Sequence, residues 1–469
     1  TATSTITVAE LCRQLDGLPL AIELAAARSA VLSLEALLSL MSQRFQLLIH
    51  GMRNLPARQQ TMTATIAWSY ALLDTNAQAL FRWLAVFTGG FSLDAVQAVA
   101  PRLRAAPKAV IMSLELLVEQ SLVQRSDDEG NARFTMLETI RAFALEHLEA
   151  SGDANLVRDS HAAYFQDLTE QLAPKQLGGN PPAFLDRLAL DYDNVRAALE
   201  WLSSRENAEQ YARMAGACGW FWYRRGDIRE GQRHLDAAIS RAGSQPTAAN
   251  GRVLRWAAEL AIRSGDLDTA SRFAQESQAV WDAIDDPLGR TLAVHVRALV
   301  DQQQGHWDTA AGLFREELSF WRESCDPRAI GMALLLLGST AYGKGDLVSA
   351  QATTLEAADY FRKSNDLTWL AAAEDHLGMC AAADRRFTAA AHHYRTSLTG
   401  YADAGDGSFV HGPLIGLAAM GLEAGQPKVA AKLLGAAEEH AQRFGSAPGH
   451  FGRQIRDQAT TQAWRALGD

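Results

Sequence analysis

From residue 208 to residue 445, apolar and polar positions recur with helical spacing, and the whole pattern returns every forty residues. Ala270, Ala310, Ala350, Ala390 and Ala430 coincide, as do Gly265, Gly305, Gly345 and Gly425, with Arg385 the exception. Trp281, Trp321, Phe361 and Tyr401 form a third set, and Asp286, Asp326, Asp366 and Asp406 a fourth. An irregular first copy carries Gly226 and Asp227 one residue out of step. Fixed self-similarity of this kind predicts an α-solenoid of six helix pairs, then a last helix near Phe451–Leu467. Each repeated position has a mechanical role. Gly takes the chain through a left-handed turn, and a following Asp caps the next helix. Ala lets two helices approach closely. The aromatic ring fills the gap to the next repeat, where its burial contributes on the order of 1.5–3 kcal/mol.

Upstream the period changes. In Arg133–Leu148, Phe134 and Met136 flank polar Thr135 with the spacing of a half-buried strand; from Leu137 the spacing turns helical through Ile140, Phe143, Ala144 and Leu148. Strands are predicted at Leu122–Arg125 and Ala132–Met136, joined by the acidic turn Asp127–Asn131. Helices are predicted over Thr61–Leu72, over Ala77–Phe87 up to Gly89 and Gly90, over Leu93–Val99 capped by Ser92, and over Ala109–Gln120. Residues 54–150 therefore read as a winged helix.

Residues 151–207 read as a helical linker, with one helix over Leu156–Leu172 (Tyr164, Phe165 and Leu168 on a stripe) and one over Phe184–Leu202. His161 reads as a polar residue flanking a helix, with no partner at metal-ligand spacing. Residues 1–53 read as a helical subdomain: Thr7–Asp16, Ala21–Arg28, and Leu34–Phe45 capped by Ser33. Gly17 stops the first of these and Pro19 opens the second, the geometry of a tight helix–helix corner. Residues 446–469 hold the C-terminal helix. The expected fold class is mainly α: a helical subdomain, a winged helix with a small β-hairpin wing, and a solenoid.

Composition narrows the function. Lys and Arg number 44 against 54 Asp and Glu, a net charge of −10 over 469 residues, which argues against a bulk nucleic-acid or membrane-surface binder. The four cysteines (Cys12, Cys218, Cys325, Cys380) form no CxxC pair, so a reduced, cytoplasmic setting is expected, without disulfides or a zinc site. No apolar run reaches the length of a membrane span. The chain opens on Thr1, and a fragment of a longer protein is expected.

Catalytic motifs are absent: no nucleophile–base pair, HExxH or paired-carboxylate pattern stands out, so the chain itself is expected not to be an enzyme. Gly338-Ser339-Thr340-Ala341-Tyr342-Gly343-Lys344-Gly345 nearly matches the phosphate-binding loop GxxxxGK[ST], but it ends in Gly, without the hydroxyl that would bind Mg2+. It also falls in register with the repeat turns. The run Trp220-Phe221-Trp222-Tyr223-Arg224-Arg225 cannot present four consecutive rings to one side of a helix; two are expected in the core, and Trp220, Tyr223 and Arg224 are retained as candidates for a groove that binds a ligand.

Several segments resemble a known class. GLPLAIELAAAR around Pro19, TIAWSYALLD at Thr65–Asp74, MLETIR at Met136–Arg141 and LDYDNVRAALEWL at Leu190–Leu202 are together similar to bacterial signal-transduction ATPases with numerous domains, the STAND or NB-ARC-like proteins, in the branch of AfsR- and LuxR-type transcriptional regulators. The repeats resemble tetratricopeptide (TPR) repeats, lengthened beyond the usual ~34 residues. The resemblance implies that Pro19 lies beside the adenine of a bound nucleotide. It also implies that ATP or ADP with Mg2+ is held by an upstream domain supplying the phosphate-binding loop. The strand-to-helix junction Met136, Leu137, Glu138 matches a family motif that carries a phosphate-contacting His in the middle. Here that residue is Leu, which cannot donate to an oxyanion and by itself reads as a core residue. Glu138 would fix the junction as a helix N-terminal carboxylate.

The expected function follows: a signal-sensing, autoregulatory region whose array binds an inducer or protein partner and relays to the nucleotide switch through the winged helix, with an oligomer formed on activation. The alternative is a TPR-type protein–protein interaction scaffold without ATPase function. Direct DNA contact is not expected, since Ala109–Gln120 offers Lys108 before it and Glu115 and Glu119 within it, and the wing tip is acidic.

Overall fold

Asp74 and Ser92 begin two helices in the way their side chains dictate: Asp74 Oδ1 accepts from Ala77 N at 2.8 Å, and Ser92 Oγ from Ala95 N at 3.2 Å. The computed structural model describes residues 62–100, 107–128, 131–173, 182–225, 227–243, 245–443 and 448–467, with residues 8, 9, 12, 33, 34 and 36. Pro19, with nearly all of the helical subdomain, and Gly226 lie outside the described residues. Ser33 is described, and its Oγ accepts from Ala36 N at 3.1 Å, as expected of a cap.

Among the described residues the first unit contains α1 (Met62–Ala71), α2 (Thr75–Trp83), a 3-10 turn at Leu84–Val86, β1 (Phe91–Ser92), α3 (Leu93–Val99), α4 (Pro107–Glu119), β2 (Gln124–Asp128), β3 (Asn131–Thr135) and α5 (Glu138–Ser151). The strands form one antiparallel sheet in the order β1-β3-β2, pairing Phe91 with Phe134 and Arg125 with Phe134 from either side. Two details differ from expectation. Leu122 and Val123, expected in the strand, are instead buried ahead of it, and the strand runs on to Asp128. The two-residue β1 was too short for its period to register.

The rest of the expected linker does not stand apart. α6 (Ala154–Leu172), α7 (Pro182–Leu190) and α8 (Tyr192–Ser203) are divided, residues up to 168 and 190–201 belonging to the first unit and residues 169–189 and 202–469 to the second. The expected single helix over Phe184–Leu202 breaks at Asp191, whose carboxylate takes Arg133 at 2.8 Å with both side chains largely buried. Three residues on, fully buried Asn194 accepts from Thr88 N and donates to Gly90 O, both at 2.7 Å. Gly89 and Gly90 have φ +76 and +123, and a Cβ at Gly89 would come within 2.8 Å of the Asp193 carboxylate. The DYDN segment thus clasps the double-glycine turn. His161 also departs from expectation: it is 3% exposed, inside α6, between the rings of Phe87 and Phe165.

The second unit contains six helix pairs, as the period predicts: α9 (Ala208–Arg225) with α10 (Ile228–Arg241), α11 (Ala248–Ser264) with α12 (Leu267–Ala283), α13 (Pro287–Gln304) with α14 (Trp307–Glu323), α15 (Pro327–Gly343) with α16 (Leu347–Lys363), α17 (Leu367–Ala383) with α18 (Phe387–Asp403), and α19 (His411–Glu423) with α20 (Pro427–Arg443), then α21 (His450–Leu467). All five repeat alanines have zero exposure. Gly265, Gly305, Gly345, Gly425 and also Arg385 adopt positive φ, so geometry is kept where identity is not. Trp281, Trp321, Phe361 and Tyr401 are all buried. Trp281 lies between α11 and α13, where a Cβ added to Gly251 or Gly289 would meet its ring at 2.5 or 2.2 Å. The near-phosphate-loop sequence is helix: Gly338–Gly343 lies in α15, Lys344 caps it and pairs with Asp308, and Gly345 makes the left-handed turn.

Candidate ligand-binding site

The repeat aspartates lead into the site. Asp286, Asp326 and Asp366 each accept from backbone N–H groups at the start of the following helix. Asp406, the fourth in the series, has a long-range partner. It takes Arg224 Nη2 at 2.5 Å, with side-chain exposures of 5% and 7%, and stands 3.5 Å from the Thr368 hydroxyl. Arg224 is therefore a structural clamp and not an open groove residue, its guanidinium lying over the rings of Trp220 and Phe409. Phe221 and Trp222 enter the core, while Trp220 and Tyr223 are half-buried and stack on each other 6.1 Å apart. Gly219 makes room for the Trp256 ring beside them.

Of the three candidates, Tyr223 alone reaches a cavity of the array that has a volume of about 340 Å3. Tyr394, Tyr401 and Phe409 supply aromatic wall, and residues 448–453 border it from the C-terminal side. Phe451 stacks on Trp307 at 5.8 Å and meets Tyr342 edge-on at 5.1 Å, while Arg453 donates to Pro448 O and to Gln303. Arg263, also on the wall, lies over the Tyr223 ring.

The polar groups of this cavity were missed by motif reasoning. Asp375 is half-buried, its Oδ1 shielded and without a hydrogen bond, and burial pushes its carboxyl up to about 7. His376 is 7% exposed; Thr354 Oγ1 donates to Ala350 O at 2.7 Å and so accepts from His376 Nδ1 at 2.9 Å. That leaves a neutral ring, held down to about 4 by burial, with Nε2 as an acceptor that has no partner. A signal did exist: one and two periods away the same positions read Leu335-Leu336, His295-Val296 and Ile415-Gly416, so an Asp-His pair interrupts a mostly apolar series.

In the first unit, Met136 and Leu137 are half-buried and Glu138 is exposed. Leu137 is not the core residue expected of it: it occupies the N-cap position of α5, where no side chain caps the helix. Glu138 forms two 2.7 Å bonds with Arg141, and Arg141 donates to Ala85 O, tying the junction to the turn after α2. On α4, Lys108, Met112, Glu115 and Glu119 form an exposed stripe, with Met112 at 60% exposure.

Residues 73–149 match the winged helix-turn-helix domain family. The chain is 35% identical over 368 residues to a Mycobacterium tuberculosis protein provisionally named an HTH-type transcriptional regulator, covering 77% of this chain and 36% of the relative. An uncharacterized protein of the same organism is 41% identical over 157 residues, 33% of this chain and 40% of the relative. The chain thus spans little more than a third of the length of the regulator it matches. Among solved structures, a STAND protein with a tetratricopeptide repeat sensor from Pyrococcus horikoshii aligns at TM-score 0.48 and 12% identity over 94% of this chain and 69% of that one. A Rap protein complexed with competence and sporulation factor aligns at 0.47 and 13% over 86% and 99%.

Proposed function

We propose that this chain is the sensing and autoregulatory region of a STAND-type transcriptional regulator acting in the cytoplasm. The array receives a small-molecule inducer or a protein partner, and occupancy is relayed through the winged helix to a nucleotide switch encoded upstream, which holds ATP or ADP with Mg2+ and opens toward an oligomer. The observation that carries this reading is the identity to the mycobacterial protein provisionally named a regulator: at 368 residues it is longer than either unit, so it takes in parts of both.

Pro19 is the residue of this chain assigned to the adenine by resemblance. The junction itself makes no phosphate contact in this reading, because Leu137 has nothing to donate; the Glu138–Arg141 pair positions α5 instead. The exposed stripe of α4 carries one positive and two negative side chains around an apolar Met112, which favours a protein surface over a duplex.

Hydrogen exchange on the intact protein tests the relay. A ligand that slows exchange in the array must also change exchange in α5, because it can shift the switch only by binding one state better; unchanged α5 would refute the coupling. The scaffold alternative is separated by the codons upstream of Thr1, where the relay reading expects a phosphate-binding loop and the scaffold reading expects none.

A further inference from the structure

Two acceptors share the wall of the array cavity, and neither has a donor. The tautomer fixed by Thr354 leaves His376 Nε2 as a lone pair, and Asp375 Oδ1 makes no hydrogen bond. Among the described residues Asp375 has no ion-pair partner. The cations on the same wall are engaged with other groups: Arg263 lies over Tyr223, and Arg453 donates to Pro448 O and Gln303. Buried acceptors left unmatched in this way cost free energy that a donor-bearing ligand recovers.

The walls around them are apolar and aromatic, and the volume of about 340 Å3 suits a small organic molecule. Gly412 and Gly416 let Asp375 and Tyr394 pack close against α19: a Cβ at the first would come within 2.7 Å of Asp375 Oδ2, and one at the second within 2.3 Å of the Tyr394 ring. The pocket therefore joins an uncompensated carboxyl, a neutral imidazole acceptor and aromatic faces.

We propose that this cavity binds a small organic amine, its ammonium donating to Asp375 and His376 Nε2 and its apolar body lying against Tyr394, Tyr401 and Phe409. An ammonium brings three donors and a positive charge, which suits such acceptors, and it gains further from the aromatic faces. A carboxylate ligand would add a second anion beside Asp375. A neutral alcohol satisfies one acceptor and leaves the charge. This inference rests on the sensor reading above and names the class of inducer.

Calorimetric titration of the full chain with 2-phenylethylamine, 2-phenylethanol and 3-phenylpropionate decides it. Saturable binding of the amine is expected, with the alcohol at least about tenfold weaker, equivalent to about 1.4 kcal/mol, and no binding of the acid. Asp375→Asn should weaken the amine by a similar factor and leave the alcohol unchanged. Equal binding of alcohol and amine, binding of the acid, or absence of saturable amine binding overturns the assignment. Should Asp375→Asn fold poorly, the three-ligand comparison on the unmodified chain still decides. Amine binding without a change of exchange in α5 would sink the relay while leaving the ligand class intact.

Discussion

Arg224 donates to Asp406 at 2.5 Å across 182 residues of chain, joining the first helix of the array to the turn before its sixth pair. Both side chains are almost fully enclosed, so removing one leaves a buried, uncompensated charge. Arg224→Met or Asp406→Leu is expected to destabilise the array by about 3–5 kcal/mol, and the double replacement Arg224→Met with Asp406→Leu to recover most of the loss. Urea unfolding of the four chains measures this; additive losses would show that the two side chains do not act as a pair.

Asn194→Ala strips partners from Thr88 N and Gly90 O together. A cost of about 1–3 kcal/mol for each group left unsatisfied is expected, with faster hydrogen exchange in residues 86–91 and none of this loss in α11 to α20.

Asp375 gives the array an unusual response to pH. Its folded-state pKa of about 7 lies above the ordinary 3.8, so the folded chain holds the proton more tightly, and stability falls as pH rises between those values. Asp375→Asn removes that fall. The variant should melt higher than the parent at pH 8, by a margin of up to about 4 kcal/mol, and the margin should close toward pH 4.

His161 acts in the opposite sense within the first unit. Burial lowers it to about 4 from 6.5, so its neutral form supports the fold above pH 6.5, and that support is lost as pH falls toward 4. His161→Gln should flatten this part of the acid limb of a thermal-melt series; an unchanged limb would assign acid sensitivity elsewhere.

The second turn of each repeat invites a stabilising change. Asp285, Cys325, Asn365 and Gly405 all adopt positive φ at the same point of the period. An L side chain pays for this conformation and Asn tolerates it best. Cys325→Gly should stabilise by about 1 kcal/mol, and Asn365→Gly by less.

These turns also show what the amino-acid string reveals and what it hides. Asp, Cys, Asn and Gly differ in identity from copy to copy, so self-alignment passes over a backbone geometry that repeats faithfully. Ala270 and its counterparts were legible because close helix approach tolerates little else, and Asp286, Asp326 and Asp366 because capping is local chemistry. Asp406 matches the same pattern yet is committed to Arg224, a relationship that sequence spacing cannot carry. Asp191 and Asn194 sat in a helical period, and only their partners Arg133, Thr88 and Gly90 explain the break there. Asp375 and His376 were visible as an interruption of an apolar series, but their lack of partners is a fact of three-dimensional packing.

The division of residues between the units has a consequence for how such proteins diversify. The chain leaves the first unit after Leu168, returns at Leu190 and leaves again after Trp201, so a single crossover between residues 168 and 202 separates residues that belong to one unit. A cut at residue 150 would take Asn194 away from its glycine turn, and a cut at 207 would deprive the array of residues 169–189. An exchange of arrays that keeps these contacts has to carry both stretches with their proper halves.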